Sequence, residues 1–184
     1  FIPTGFQVID KQQGGLARGR VYTMGANSGG GKSTLANCVA INAYRAGFSV
    51  GYGTFEMGRE ECLMRTQANI TRIPHDRFQL NKLTDQERVL SDQKLAEFLG
   101  WGEERGVRLD YICPKQDLNI NEFLAQVESL NYDVIVIDYI NLMKALNAKE
   151  GLWWNIGEAF RIVKRFAERN RCVVIMLVQL DEES

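Results

Sequence analysis

Residues 24–34 have the sequence MGANSGGGKST. Residues 21–24 before this segment have the composition of a β-strand, and the residues from Leu35 onward have the composition of a helix. Glycines allow several backbone N–H groups to converge on an anion, and the N-terminus of the following helix adds a partial positive charge. A glycine-rich linker would share the composition but not the strand and the helix. The segment therefore predicts a phosphate-binding loop.

The loop carries the residue types that bind a nucleotide triphosphate. Lys32 can reach the β- and γ-phosphates of ATP, and the Ser33 hydroxyl can ligate Mg²⁺. One position departs from the usual pattern, since Ala26 stands where a glycine is expected six residues before the lysine. We expect its methyl group to be tolerated. The predicted nucleotide-binding residues are Ala26, Asn27, Ser28, Gly29, Gly30, Gly31, Lys32, Ser33 and Thr34.

The bulk properties of the chain fit one globular domain. A chain of 184 residues is long enough for one well-buried core and short for two. The formal net charge of −1 argues against a protein that coats nucleic acid through its overall field. Four scattered cysteines and one histidine indicate neither a zinc site nor a disulfide framework, so we expect buried thiols in a reducing cytoplasm and no membrane segment. Because the chain begins with Phe1, we also expect a fragment of a longer protein.

Apolar runs predict five strands, at about residues 20–25, 48–55, 107–113, 132–138 and 172–178. The last two runs are almost unbroken, which is typical of parallel strands buried on both faces. Helices are predicted between them, with a capping box at residues 84–87, a helix cap at residues 119–122, and a loop over residues 144–155. The last helix should bury a stripe formed by Ile156, Ala159, Phe160, Val163, Phe166 and Ala167. The fold class is α/β, a mainly parallel sheet of about five core strands with helices on both faces.

Three polar residues stand at the ends of predicted strands, namely Glu56, Asp138 and Gln179. The carboxyl ends of parallel strands meet at one edge of a sheet, where ligands bind. A β-branched run that ends in Asp138 is the pattern of a Walker-B strand, whose aspartate holds the Mg²⁺ shell. Together with the strand that leads into the phosphate loop, we expect these strand ends to converge on one spot above the sheet.

Three segments carry a family resemblance. They are TFEM at residues 54–57, IDYINLM at residues 137–143 and VQL at residues 178–180. In this order they resemble motifs of DnaB-type replicative DNA helicases, which are RecA-like ATPases of superfamily 4. Ala26 also occurs in that family, whereas residues 71–101 match only in helical character. The segments TGF at residues 4–6 and GGL at residues 14–16 would also suit RadA-like or KaiC-like ATPases.

The resemblance implies roles for individual residues. Lys32 and the loop amides would hold the phosphates, and Ser33 and Asp138 would serve Mg²⁺. Glu56 would polarise the attacking water, and Gln179 would sense the γ-phosphate. The RecA-like fold further implies that the strand at residues 172–178 lies between the phosphate-loop strand and the Asp138 strand.

The resemblance also implies partners. These are single-stranded DNA, further copies of the chain in a hexameric ring with ATP at the subunit interfaces, and a primase or loader; a phage source is one origin it allows. The DNA-gripping loop and the arginine supplied in trans are expected beyond Ser184. The 184-residue chain would then bind ATP–Mg²⁺ weakly, hydrolyse it slowly and not unwind a duplex.

Several alternatives remain open from the sequence. The chain could be a RadA-like or KaiC-like ATPase without unwinding activity, or a nucleotide-switched helicase loader or regulator. Trp153 and Trp154 could stack on bases or anchor a neighbouring subunit. The basic residues of the last helix favour a solvated or subunit-facing surface over a DNA contact. These are Arg161, Lys164, Arg165, Arg169 and Arg171.

Overall fold

The computed structural model describes residues 1–114 and 117–180. Residues 181–184, which the sequence shows to contain no basic side chain, lie outside this part. The helices are α1 (Gln7–Gln13), α2 (Lys32–Arg45), α3 (Arg59–Thr71), α4 (His75–Gln79), α5 (Asp85–Arg105), α6 (Ile120–Glu128) and α7 (Leu152–Asn170), with a 3₁₀ turn at Ile140–Leu142. The strands are β1 (Val21–Ala26), β2 (Val50–Thr54), β3 (Leu109–Ile112), β4 (Val134–Asp138) and β5 (Val173–Gln179).

The strands form one five-stranded sheet in the order β1-β5-β4-β2-β3. Every pair of neighbours is parallel. The expected α/β class is confirmed, and so is the expected position of β5 between the strand of the phosphate loop and the strand of Asp138. Because all five strands run the same way, their carboxyl ends lie at one edge, where side chains from separate strands can meet.

Strands β4 and β5 are buried on both faces, which explains their unbroken apolar sequence. Successive side chains of a strand point to opposite faces. In β4, Val134 and Val136 join the core cluster that contains α2, whereas Ile135 and Ile137 join the cluster that contains α6 and α7. The predicted arrangement of helices on both faces is therefore confirmed.

The predicted capping box and the predicted helix cap are both present. At the start of α5, the Thr84 hydroxyl accepts a hydrogen bond from the backbone N–H of Glu87, whose side chain accepts one from the backbone of Thr84. Asn119 and Glu122 form the same reciprocal pair at the start of α6. These bonds satisfy backbone donors that have no partner inside the helix, so the sequence predicts both starts closely.

The start of α7 differs from the prediction. Residues 152–155 belong to the helix and not to a loop, and Gly151 precedes them without a side-chain cap. The sequence therefore contains no capping side chain that would mark this start. Phe160, which the sequence places in the buried stripe, is 38% exposed, while Val163 and Ala167 are fully buried as expected.

The four cysteines are not all buried as predicted. Cys62 and Cys172 are buried, whereas Cys38 and Cys113 are only partly so. Burial raises the pKa of Cys62 to about 12 and that of Cys172 to about 11. These two thiols are therefore protonated at neutral pH. No helix in the part of the chain that the structure describes contains a stretch long and apolar enough to cross a membrane.

Substitutions of two phenylalanines, one buried and one exposed, test the packing of the hydrophobic core. Phe123 has no exposed surface and contacts the ring of Phe55. The substitution Phe123→Ala should lower the free energy of unfolding by about 3–5 kcal/mol, because it opens a cavity in the core. Phe160→Ala is the control and should cost clearly less. Denaturant unfolding of both variants measures the difference, and equal losses would contradict the burial pattern.

Candidate nucleotide-binding site

The loop between β1 and α2 turns sharply before the helix begins. Gly31 precedes the first helical residue, Lys32, and has a φ of 79°, a conformation that favours glycine. The backbone N–H of Gly30 donates to the carbonyl of Asn27 at 3.0 Å. The loop therefore presents backbone amides at the N-terminus of α2, where an anion is favoured by the helix dipole.

The unusual Ala26 is accommodated by a neighbouring glycine. A Cβ atom at position 30 would lie 2.9 Å from the Cβ of Ala26, which is closer than such atoms approach. The methyl group of Ala26 therefore occupies space that a side chain at position 30 would need. The expectation that the loop tolerates this methyl group is met in the structure.

A cavity of about 280 Å³ lies over the loop. It is lined by Ser28, Gly29, Gly31, Lys32, Ser33, Thr34, Glu56, Met57, Glu61 and Arg65. Seven of the predicted site residues are in this set. Ala26, Asn27 and Gly30 shape the loop without lining the cavity, and Asp138 and Gln179 reach it through Ser33 and Lys32.

The carboxylate of Asp138 has no exposed surface. Its Oδ1 accepts a hydrogen bond from the Ser33 hydroxyl at 3.0 Å, and its Oδ2 accepts one from the Tyr52 hydroxyl at 2.6 Å. Burial, followed by the charge of Asp138, raises the pKa of Tyr52, so this phenol is a protonated donor at neutral pH. A carboxylate shielded from water and bonded by hydroxyls favours a nearby cation.

Lys32 is held by two groups from the strand ends. Its ammonium lies 4.7 Å from the centre of the Tyr139 ring, a cation–π contact. It also donates to Gln179 Oε1 at 3.5 Å, a long hydrogen bond. Burial, followed by the charges of Glu56 and Asp138, raises the pKa of Tyr139. Gln179 at the end of β5 therefore lies beside Lys32 of the loop.

Glu56 lines the same cavity as the loop and lies two residues beyond the end of β2. The Thr54 hydroxyl accepts a hydrogen bond from the backbone N–H of Met57 at 3.0 Å, which closes a tight turn. The backbone N–H of Phe55 donates to the carbonyl of Asp138 at 2.8 Å. These bonds fix the backbone on both sides of Glu56 and leave its side chain exposed to the cavity.

An arginine that the sequence analysis does not single out lines the same cavity. Arg65 of α3 forms an ion pair with Glu61, at 2.8 Å from Nη2 to Oε1. Its Nη1 donates to the Thr34 hydroxyl at 3.2 Å. Arg65 therefore connects α3 to the first turn of α2. Its spacing from Glu61 is the usual i,i+4 ion pair of a helix, so no sequence pattern indicates the contact with Thr34.

Asn141 anchors the end of β5. Its side-chain amide donates to the carbonyl of Gln179 at 3.1 Å and accepts from the N–H of Gln179 at 3.0 Å. Asn141 lies in the segment at residues 137–143 that carries the family resemblance, but no role for it was predicted from the sequence. The anchor places Gln179 beside Lys32.

Within residues 1–114 and 117–180, no group of three or more His, Cys, Asp or Glu side chains could hold a metal ion alone. Ser33 and Asp138 fit a different kind of site. Magnesium usually takes one or two protein oxygens and completes its shell with phosphate oxygens and water. The hydroxyl and the buried carboxylate supply oxygen ligands of this kind beside the phosphate loop.

The exposed side chains of α7 are accessible both to nucleic acid and to a neighbouring subunit. Trp153 and Trp154 are 55% and 45% exposed at the start of α7. Farther along α7, Arg161 pairs with Glu158 and Arg169 pairs with Glu128. These pairs reduce the net positive charge of the surface.

The fold and the site together define a RecA-like ATPase domain with a phosphate-binding loop. The model of the DnaB-like helicase C-terminal domain family matches residues 2–184, and the chain belongs to this family. This membership favours the DnaB-type resemblance over the RadA-like and KaiC-like alternative.

The relatives are consistent with this family. The chain is 27% identical to a probable plasmid replicative DNA helicase of Chlamydia muridarum, over 99% of this chain and 40% of the relative. It is 26% identical to the replicative DNA helicase DnaB of Helicobacter pylori, over 98% of this chain and 36% of the relative. The chain thus spans about two fifths of the length of these relatives.

Solved structures show the same fold. One solved ATPase domain superimposes with a TM-score of 0.83 at 21% identity, over 99% of this chain and 64% of that one. A DnaB-like replicative helicase studied with primase gives 0.83 at 20% identity, over 99% and 44%. The RadB recombinase gives 0.58 at 17% identity, over 100% and 73%.

The Asn141 anchor predicts a local effect of mutation. Asn141→Ala should leave the N–H of Gln179 without its acceptor, at a cost of about 1–3 kcal/mol. Hydrogen exchange at this amide should then accelerate by about 5- to 150-fold. Asn155→Ala, which removes hydrogen bonds to residues 147, 150 and 151 at the start of α7, is the control. Unchanged exchange at Gln179 in Asn141→Ala would refute the anchor.

Proposed function

We propose that this chain is the ATPase motor domain of a replicative DNA helicase, which hydrolyses ATP to move along single-stranded DNA. Membership of the DnaB-like helicase C-terminal domain family supports this proposal. The observation that carries the proposal is the cavity that the phosphate loop shares with the Glu56 carboxylate. Asp138 accepts a hydrogen bond from Ser33 of the same loop. A phosphate cradle that faces an acidic side chain suits hydrolysis better than binding alone.

In this proposal, the loop and Lys32 bind the phosphates. The amides around Gly31 would surround the β-phosphate, and Lys32 would neutralise charge on the β- and γ-phosphates. The ring of Tyr139 and the amide of Gln179 hold the lysine ammonium without neutralising it. The lysine charge therefore remains available to the phosphates.

Ser33 and Asp138 would hold Mg²⁺ in the nucleotide complex. The bound ion would supply positive charge to the phosphate oxygens. Asp138 has no exposed surface and is already oriented by two hydroxyl donors, so it needs little rearrangement to accept the ion. Ser33 lies at the first turn of α2, between the loop and the carboxylate.

Glu56 is the group proposed to polarise the attacking water. It lines the same cavity as the loop, and the Thr54 turn holds its backbone in place. Gln179 is proposed to sense the γ-phosphate through its contact with Lys32. Loss of the phosphate would alter that contact, and Gln179 stands at the end of β5, where the chain leaves the sheet.

The partners follow from the proposed activity. We infer that copies of the protein form a ring, a hexamer in the complete protein, with ATP at the interfaces and single-stranded DNA as the track. One structural neighbour was solved in a study of the interactions of a DnaB-like replicative helicase with primase, which supports primase as a further partner. Action on replicating DNA would place the protein in the cytoplasm.

Two assays on the same protein test this proposal. In the complete protein, ATP hydrolysis should require Mg²⁺ and should rise when single-stranded DNA is added, and a forked duplex should be separated. Hydrolysis that responds to DNA without strand separation would favour a RadA-like or KaiC-like activity. Nucleotide binding without turnover would favour a loader or regulator.

Glu56→Gln should separate binding from turnover. The amide keeps the shape of the side chain but loses the negative charge, so hydrolysis should fall by roughly 10² or more while ATP still binds. Glu60→Gln changes a nearby exposed glutamate that does not line the cavity and should hydrolyse ATP normally. Steady-state rates and a nucleotide titration measure both effects. Turnover at the unmodified rate in Glu56→Gln would exclude the proposed role.

Lys32→Ala should instead weaken nucleotide binding itself. The ammonium is the cation of the loop that is placed to bind phosphate, so its loss should raise the dissociation constant for ATP by roughly 10-fold or more. Lys94→Ala in α5 is the matched control, because Lys94 pairs with Glu97 and does not line the cavity. Fluorescence titration with an ATP analogue measures the constants. Equal affinity of Lys32→Ala and the unmodified protein would show that phosphate binds elsewhere.

A further inference from the structure

Tyr52 connects the three elements that form the proposed metal site. It lies in the middle of β2 and is 1% exposed. Its hydroxyl donates to Asp138 Oδ2 at 2.6 Å, at the end of β4. The same hydroxyl lies 3.4 Å from the backbone carbonyl of Ser33, in the first turn of α2. One phenol therefore touches both residues that would hold Mg²⁺.

The Tyr52 hydroxyl has a single hydrogen, and the geometry decides where it goes. The contact with Asp138 is shorter by 0.8 Å (3.4 against 2.6 Å) and reaches a charged oxygen, so the carboxylate receives the hydrogen. The more distant Ser33 carbonyl limits how far the phenol can move. Tyr52 is thus a directed donor to one oxygen of the carboxylate.

This bond makes the two oxygens of Asp138 unequal. Oδ2 is occupied by the phenol, whereas Oδ1 faces the Ser33 hydroxyl at 3.0 Å. A cation that shares Ser33 and Asp138 would therefore meet Oδ1. Rotation of the carboxylate would break a short charge-assisted bond, so the phenol fixes the orientation of the group.

A second tyrosine, partly buried beside Tyr52, shows what Tyr52 does beyond packing. Tyr111 lies on the neighbouring strand β3, with ring centres 5.5 Å apart. Its hydroxyl donates to Asn37 Oδ1 at 2.5 Å and lies 2.7 Å from the Thr66 hydroxyl. Both rings pack in the same core, but of the two phenols only that of Tyr52 bonds the Asp138 carboxylate.

We infer that Tyr52 is a positioning residue, which orients the Asp138 carboxylate so that Oδ1 meets a divalent cation together with Ser33. The inference rests on the proposed function, because it assumes that the site binds a nucleotide with Mg²⁺. Tyr52 acts through Asp138 and touches neither nucleotide nor cation. Residues that orient a metal ligand from behind commonly change metal affinity by roughly 10- to 100-fold when they are mutated.

The test uses Tyr52→Phe, with Tyr111→Phe as the matched control. Binding of a fluorescent ATP analogue is titrated with MgCl₂, and the Mg²⁺ concentration at half-maximal enhancement is measured for each protein. Tyr52→Phe should need about 10-fold more Mg²⁺ or more. In EDTA it should bind the analogue as the unmodified protein does. Tyr111→Phe should match the unmodified protein in both conditions.

The outcomes separate the two proposals. If the unmodified protein binds the analogue without any response to Mg²⁺, the proposed function of the site fails. If that response is present and Tyr52→Phe shows it unchanged, or if both tyrosine variants shift equally, the role of Tyr52 is refuted. Weaker binding of Tyr52→Phe in EDTA would also refute it, since the defect would then lie in the nucleotide site as a whole.

Unfolding measurements and a second pair of variants control for loss of folding. Tyr52→Phe leaves a buried carboxylate with one donor fewer, so thermal unfolding in EDTA is compared for all proteins. If Tyr52→Phe does not fold, the same substitution is made with Asp138→Asn, which removes the buried charge. The double variant should respond to Mg²⁺ as Asp138→Asn alone does. A further shift would show that Tyr52 acts on something other than the carboxylate and would overturn the inference.

Discussion

A negative charge without access to water constrains this molecule more than any other group. The carboxylate of Asp138 is fully buried, and burying a charge costs several kcal/mol unless it is bonded. Its two donors come from different elements, one from β2 and the other from the first turn of α2. The three elements must therefore keep their relative positions, and the phosphate loop is attached to one of them. Stability and ligand binding depend on the same contacts.

The order of the strands brings the remaining groups to that point. Because β5 lies between β1 and β4, Gln179 stands between the loop and Asp138. On the other side of β4, β2 ends at Thr54 and delivers Glu56 through a short turn. Within the residues that the structure describes, these groups come together at the strand ends themselves. The polar groups are placed by the backbone hydrogen bonds of the sheet and by the side chains of Thr54 and Asn141 at the strand ends.

Features with a local cause could be predicted from the sequence. The phosphate loop depends on glycines at fixed spacing, the two capping boxes on pairs three residues apart, and the central strands on unbroken apolar runs. Convergence of Glu56, Asp138 and Gln179 followed from their places at strand ends. The strand order did not follow from composition; the family resemblance supplied it.

Features that depend on distant partners were missed. Tyr52 appears in the sequence as one aromatic residue in an apolar strand, and its partner lies 86 residues away. Arg65 appears as the partner of Glu61, and its contact with Thr34 depends on how α3 meets α2. The start of α7 was missed because Gly151 offers no side-chain cap. The exposure of Phe160 was missed because no other element covers that position of α7 in the described residues.

The anchor at the end of β5 holds the backbone and not the side chain. Asn141 bonds the N–H and the carbonyl of Gln179, groups that every residue except proline also possesses. Fixing the strand end and presenting a polar group to Lys32 are thus chemically separable tasks of one position. Natural variation or design could replace the amide by another side chain while the strand end stays where it is. The side chain at position 179 can therefore change while the hydrogen bonds that hold its backbone remain.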